Sequence, residues 1–196
     1  APAREEDPPH PVSEYGKSKL AGEEVVKTQC QTEFVVLRPP AVYGPRDGDF
    51  LALFKAVKAH VYPVFQGGRQ ALSLVYVLDL AAAVVACLKH PAAVGRTYNV
   101  AHPSTVTARH LAEEIAAQMR VRALPLPLPV LMLWLSCLTQ EAVSWLSGKP
   151  NILSRHKYPE LCASGWACDP SRMAEELGIL CPTSIRQGIP ATLAWY

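Results

Sequence analysis

Between residues 13 and 119 the sequence alternates between helix-length runs and short apolar runs, and this alternation narrows the possible folds more than any other feature. Ser13 is suited to an N-cap, and a helix is predicted from it to about Gln31. EFVVLRPP follows as a short buried strand that Pro39 and Pro40 stop. Gly44, Pro45, Asp47 and Gly48 read as a loop, and FLALFKAVKAH then has helical spacing. ALSLVYV is the next strand, LDLAAAVVACLKH a helix, RTYNVA another strand, and TARHLAEEIAAQM a helix that begins after residues 105–107. This order is that of parallel α/β units. Two short helices, PSRMAEELG and SIRQGIPATLAWY, close the chain as a smaller lobe. No internal repeat is visible.

At 196 residues, 49% of them hydrophobic, the chain can bury a core as one domain or one domain with an annex. A net charge of +2, evenly scattered, argues against nucleic acid and fits a small-molecule partner. The six cysteines contain no C-x-x-C pair, so a reduced, cytoplasmic setting is expected. The histidines show no H-E-x-x-H spacing, His102 and His110 lie eight apart, and no metal site is expected. The opening APAREEDPPHP has four prolines in eleven residues and no apolar run of the signal-peptide kind; it reads as a surface loop at a cut or processed end. Residues 123–140 carry no charge, but Pro125, Pro127 and Pro129 hold the first part extended and leave too short a run to span a membrane. A helix there covers an apolar pocket or core, or lies against a membrane surface.

The stretch SEYGKSKLAGEE places Tyr15 and Lys19 four positions apart, on one face of the first helix. A phenol is a poor base at neutral pH, and a neighbouring ammonium favours its phenolate. Such a pair can pass a proton to and from a hydroxyl. Taken alone the spacing also arises by chance, in which case both side chains are ordinary surface.

YGKSKLAGEE, VVLRPPAVYGPRD, VYVLDLAAAV and TYNVAHPSTVTARHLAEEIA occur in that order, with MAEELGILCPTSIRQGIPATLAWY at the end. Together they resemble the latter half of the extended short-chain dehydrogenase/reductase family, which includes nucleotide-sugar epimerases and 3β-hydroxysteroid dehydrogenase-like enzymes. The resemblance implies the C-terminal part of a Rossmann-type parallel sheet with a smaller, mainly helical substrate-binding lobe. Residues 1–120 would be the rest of a dinucleotide-binding domain with interleaved substrate-lobe segments, and 121–196 mainly the lobe. It further implies that Tyr15 is the general acid/base, that Lys19 holds the ribose of NAD or NADP, and that the backbone of Pro39, Pro40, Ala41 and Val42 borders the nicotinamide. Tyr43 and Arg46 would rim the pocket from a loop, and the Tyr15 helix would be a natural face for a second copy.

None of the eleven glycines forms a G-x-x-G-x-x-G loop after a strand, so the chain is expected to be the C-terminal portion of a longer enzyme, or a truncated relative. Sugar-nucleotide members of the family usually carry Arg-Asp-Phe before the YV.D segment, the arginine gripping the nucleotide phosphates. Counting back from Asp79, those positions here hold Leu72, Ser73 and Leu74, and Arg69 lies three residues earlier, on the wrong strand face for a simple exchange. With the uncharged 123–140 segment, this favours an oxidoreductase acting on a hydrophobic, steroid-like alcohol or ketone. A nucleotide-sugar epimerase or dehydratase, and a non-catalytic binding relative, remain as alternatives.

Overall fold

The computed structural model describes residues 1–128, 139, 163 and 165–196. Helix α1, Glu14–Gln29, starts where Ser13 Oγ accepts the Gly16 N–H at 3.1 Å, and its last turn carries Lys27 against the helix dipole. Strand β1, Val36–Arg38, follows, and Pro39 and Pro40 bend the chain into β2, Ala41–Tyr43. Asp47 caps α2, Gly48–Lys58, by accepting the N–H groups of Asp49 and Phe50. His60, at φ 65°, turns the chain into β3, Val61–Val64. A 3-10 turn at Gln66–Gly68 leads to β4, Ala71–Leu72, then β5, Leu74–Tyr76, and α3, Val77–Leu88. The remaining elements are β6 at Thr97–Asn99, β7 at Val106–Thr107, α4 at Ala108–Met119, β8 at Leu124–Pro127, β9 at Gly165–Trp166, α5 at Ser171–Leu177 and α6 at Ile185–Leu193.

The pairing is mainly parallel, as the alternation of elements requires. β1 pairs with β6, β2 with β5 and β3 with β8, all parallel; β4 runs parallel to β9 and antiparallel to β7. The fold is α/β, and each of the six expected helices is present, at 14–29, 48–58, 77–88, 108–119, 171–177 and 185–193, with α1 ending two residues earlier than expected and α2 beginning at Gly48, inside the expected loop.

β1 ends directly before Pro39 and Pro40, as expected, and the two prolines lead into a separate strand, β2, which takes β5 rather than β6 as its neighbour. Beyond that added strand, two expectations change. ALSLVYV breaks at the buried Ser73, whose Oγ accepts the Cys168 N–H at 3.0 Å and so ties the break to the chain after β9. β3 was not expected, because Pro63 interrupts its short alternation of buried and exposed residues. In the uncharged segment, Pro125 and Pro127 do hold an extended strand, β8; the helix expected after it lies outside the described residues.

Two apolar cores join sequence from both ends of the chain. In the first, Tyr43, Phe50, Phe54, Val57, Leu111 and Ile115 meet Ile185 and Ile189 of α6. Tyr43 is 1% exposed, stacks on Phe50 with ring centroids 5.4 Å apart, and donates its hydroxyl to the Ser184 carbonyl at 3.1 Å. Burial, with the Asp79 charge adding to it, pushes this phenol far above its ordinary range. In the second core, Val75, Tyr98 and Val100 pack on Met173, Leu177 and Cys181. Asp79, in the first turn of α3, accepts both the N–H (2.7 Å) and the hydroxyl (2.8 Å) of Thr183, which fixes the approach to α6.

Helix α1 buries no residue completely, so polar contacts hold it to the sheet. Arg38 of β1 forks onto Glu23, with Nε to Oε2 at 3.0 Å and Nη2 to Oε1 at 2.6 Å, and Lys27 adds a bond to the same carboxylate at 2.6 Å. The opening segment is tied down as well. Ala3 makes an isolated parallel bridge with Cys168, and Glu5 Oε1 accepts the Asn99 N–H at 2.7 Å.

Two predictions follow from this packing. A Cβ at Gly188 would meet the Tyr43 ring, with Cε2 2.6 Å away, and the stacked, hydrogen-bonded ring has no room to retreat. Gly188→Ala should cost about 1–3 kcal/mol in urea melts, whereas Gly22→Ala in α1, with nothing within 4 Å of the new methyl, should gain about 0.5–1 kcal/mol. Equal effects at the two sites would contradict the packing described.

The Arg38 bond holds the Glu23 carboxyl below its usual range. A depressed carboxyl stabilises the fold above the unfolded value of 4.5, and the contribution is lost as the pH falls through the folded value. Glu23→Gln should therefore destabilise by about 1–3 kcal/mol near pH 7, and its difference from the parent should shrink below about pH 4.5 in melts run across that range.

Candidate active site

A cleft of about 980 Å³ opens between α1 and β1, floored by Val35–Pro39 and walled by Tyr15, Gly16, Ser18, Lys19, Leu20, Glu23 and Val26. Its rim is the Pro9–Pro11 segment. Tyr15 is 68% exposed, and the Lys19 ammonium lies 5.3 Å from the centre of its ring. Ser18 donates its hydroxyl to the Tyr15 carbonyl at 2.8 Å, within the same turn. Among the described residues Lys19 has no acidic partner, although α1 pairs Lys17 with Glu14 and Lys27 with Glu23. The helix thus leaves one ammonium beside one phenol, facing a partly apolar cleft at the side of a parallel strand.

The spacing that brings Tyr15 and Lys19 together continues to Glu23 and Lys27, each four residues on. Glu23 and Arg38 were missed in the sequence reading. The four-residue repeat was the available signal for Glu23, whereas Arg38 becomes its partner only once β1 is placed beside α1.

A phenol, an unpaired ammonium and an apolar wall suit the ribose and ring end of a dinucleotide, which offers hydroxyls and a flat face. A pyrophosphate cradle is another matter. The positive-φ glycines among the described residues, Gly44, the adjacent Gly67 and Gly68, Gly95 and Gly178, lie in four separate turns rather than in one loop between a strand and a helix. Among the described residues no group of three His, Cys, Asp or Glu side chains is placed to hold a metal ion.

The other sequence-derived site residues are dispersed. Pro39 lines the cleft, while Pro40, Ala41 and Val42 are not among its walls; Ala41 and Val42 continue into β2, and Val42 packs against the second core. Tyr43 is not in a loop: it is the last residue of β2 and sits in the first core, where it also closes one side of a separate cavity of about 270 Å³ beside His102 and His110. Arg46 adopts φ 73° and lays its guanidinium over Trp195, 6.0 Å from the ring centre. Arg69 is exposed at the end of the 3-10 turn, before β4 begins, so it belongs to no strand face. Leu72, on β4, is half-buried between Val106 and Trp166 and packs on the first core. The structure therefore brings Tyr15, Lys19 and Pro39 to one cleft and leaves Tyr43, Arg46, Arg69 and Leu72 outside it.

Known proteins resemble the chain along nearly its whole length. The model of the NAD dependent epimerase/dehydratase family matches residues 1–101. A ceramide reductase of Caulobacter vibrioides is 30% identical over 194 residues, covering 94% of this chain and 57% of the relative. The N-acetyl-alpha-D-glucosaminyl-diphospho-ditrans,octacis-undecaprenol 4-epimerase of Escherichia coli O157:H7 is 26% identical and is covered to 59%. The chain thus spans a little under three fifths of the length of the curated relatives it matches. Among solved structures, a UDP-glucuronic acid 4-epimerase from Bacillus cereus, in complex with UDP-glucuronic acid and NAD, shares the fold at a TM-score of 0.74 and 21% identity, over 100% of this chain and 56% of that one. With 101 of its 196 residues inside the family match, this chain belongs to the NAD dependent epimerase/dehydratase family.

Proposed function

We propose that this chain forms the proton-relay side of an NAD(P)-dependent oxidoreductase that acts on a hydroxyl or ketone of a hydrophobic, steroid-like substrate. One observation carries the reading: Tyr15 and Lys19 share a flank of α1, ring centre and ammonium 5.3 Å apart, and both open into the same cleft. In this reading residues 1–120 serve mainly the cofactor and 121–196 mainly the substrate. Activity requires a glycine-rich pyrophosphate loop, which the described residues do not supply.

NAD(P), when bound, supplies the hydride acceptor or donor. The chain's own residues handle the proton. In alcohol oxidation the phenolate of Tyr15 takes the hydroxyl proton as the carbinol hydrogen departs with its electron pair, leaving a carbonyl; reduction runs the same transfers backwards. Lys19 would hold the ribose hydroxyls, with its ammonium 5.3 Å from the centre of the Tyr15 ring. Pro39, at the end of β1, is the residue of the Pro39–Val42 segment that would border the nicotinamide, since Pro40, Ala41 and Val42 are not among the cleft walls. Arg38, through Glu23, keeps α1 at a set distance from that strand.

The substrate class is supported from two sides. The position expected to hold a phosphate-gripping arginine is Leu72, half-buried against the first core, and the cleft floor at Val35–Leu37 is apolar. Two relatives carry lipids in their names, a ceramide and an undecaprenol. A nucleotide-sugar epimerase is the second reading, favoured by the family match and by the UDP-sugar complex of the fold neighbour. Apposition to a membrane goes with an apolar substrate, although no helix among the described residues is long and apolar enough to cross one. The exposed outer flank of α1, with Val25 at 51%, offers a packing face for a second copy.

In the complete gene product Tyr15→Phe should lower turnover roughly 10²–10⁴-fold while NAD affinity stays nearly unchanged, and Lys19→Ala should impair both. Steady-state kinetics with a parallel cofactor titration checks this; full turnover in Tyr15→Phe would remove Tyr15 from the chemistry. Assayed side by side, sterol-type alcohols and ketones should turn over in preference to UDP-sugars. Turnover of UDP-sugars alone would replace this reading with the epimerase.

A further inference from the structure

The paired strands β3 and β8 present an apolar outer face that no other described element covers. Their register sets Val61 beside Leu124 and Pro63 beside Leu126, and paired residues of a parallel ladder point to the same side. Tyr62 and Val64 face inward and are buried, so the other side carries Val61, Pro63, Leu124 and Leu126, with Leu124 71% exposed and Leu126 48%.

One end of this face is basic. Lys55, Lys58 and His60 lead into β3, and Arg120 and Arg122 lead into β8, all of them exposed. The two strand starts are held together by the bond between His60 Nδ1 and the Arg122 carbonyl, 2.8 Å, and by the Leu124 N–H on the His60 carbonyl, 2.9 Å. Lys55, Lys58, Arg120 and Arg122 form no ion pair among the described residues. The nearby acids of α4 are already taken, Glu113 by Arg109 at 2.9 Å and Glu114 by Arg186 at 3.5 Å, and Asp49 lies at the far end of α2.

The edge of the ladder argues against another strand as the occupant. Leu124 and Leu128 spend their N–H groups on His60 and Val64, and the residues alternating with the inward donors are Pro125 and Pro127, which have no N–H to offer. What remains is a shallow apolar plane bordered by unpaired cations, the pattern that matches an anionic bilayer surface, where leucine side chains enter the headgroup boundary and basic residues meet lipid phosphate and carboxylate.

We propose that the β3–β8 face, with its border of Lys55, Lys58, Arg120 and Arg122, docks this protein on an anionic membrane surface. The surface is separate from the Tyr15 cleft, and its test does not involve turnover. The complete protein is mixed with phosphatidylcholine vesicles with and without phosphatidylserine, and the bound fraction is read by co-sedimentation at rising salt. Binding should need phosphatidylserine and fall with salt. Arg120→Asn together with Arg122→Gln should lower it roughly ten-fold, and Leu124→Ser should weaken it at every salt concentration. Asn suits the left-handed backbone at residue 120, φ 56°, and unchanged melting temperatures would exclude unfolding as the cause. Equal binding to both vesicle types, binding undiminished in the double variant, or no binding at all would overturn the proposal. So would a dimer in solution that Leu124→Ser dissociates, since the face would then belong to a second copy.

Discussion

The ion pair between Glu23 and Arg38 fixes the geometry on which the rest depends. The helix that carries Tyr15 and Lys19 has no fully buried side chain and could not be seated by apolar contact alone. A two-point fork to a strand residue holds it, with Glu23 only 12% exposed and Arg38 27% exposed, which limits screening by water. The same arginine reaches the Glu5 carbonyl at 3.3 Å, and the Glu5 carboxylate accepts the N–H of Asn99, the partner of Arg38 across the β1–β6 ladder. One cation thus joins the helix, the strand and the opening segment at the end of the sheet where parallel α/β folds place their ligands.

Behind the cleft, rigidity comes from Tyr43. It ends the strand that changes neighbours after Pro39 and Pro40, and its ring and hydroxyl lock α2 and α6 together. The YV.D aspartate plays a related part, since Asp79 spends both oxygens on Thr183 at the entry to α6. Two residues within motifs that carry the family resemblance therefore serve the frame, while Tyr15 and Lys19 on α1 take no part in either core. Separating frame from site in this way lets α1 keep an open, solvated flank.

Helices were the most legible part of the sequence. Ser13, Asp47 and Thr107 cap their helices as their side chains allow, and the apolar spacing of α2 and α4 shows which side is buried. Strands were less legible because each is two to four residues long and its partner lies tens of residues away. Nothing local shows that Ala41–Tyr43 pairs with Leu74–Tyr76, so Tyr43 reads as a loop residue between two prolines and a turn. Likewise Ser73 looks like a strand residue until Cys168 is placed beside it. Within the site, Tyr15 and Lys19 were legible from a spacing of four, whereas the roles of Leu72 and Arg69 depended on where β4 begins.

The central claim is that the Tyr15 hydroxyl carries the proton of an NAD-linked alcohol–ketone exchange. Stopped-flow recording of nicotinamide absorbance in the complete protein, in H2O and in D2O with a cyclic alcohol as substrate, tests it most directly. The first turnover should be slower in D2O, and this solvent isotope effect should vanish in Tyr15→Phe while the cofactor-binding phase persists. An equal solvent isotope effect in parent and variant would contradict the role of Tyr15.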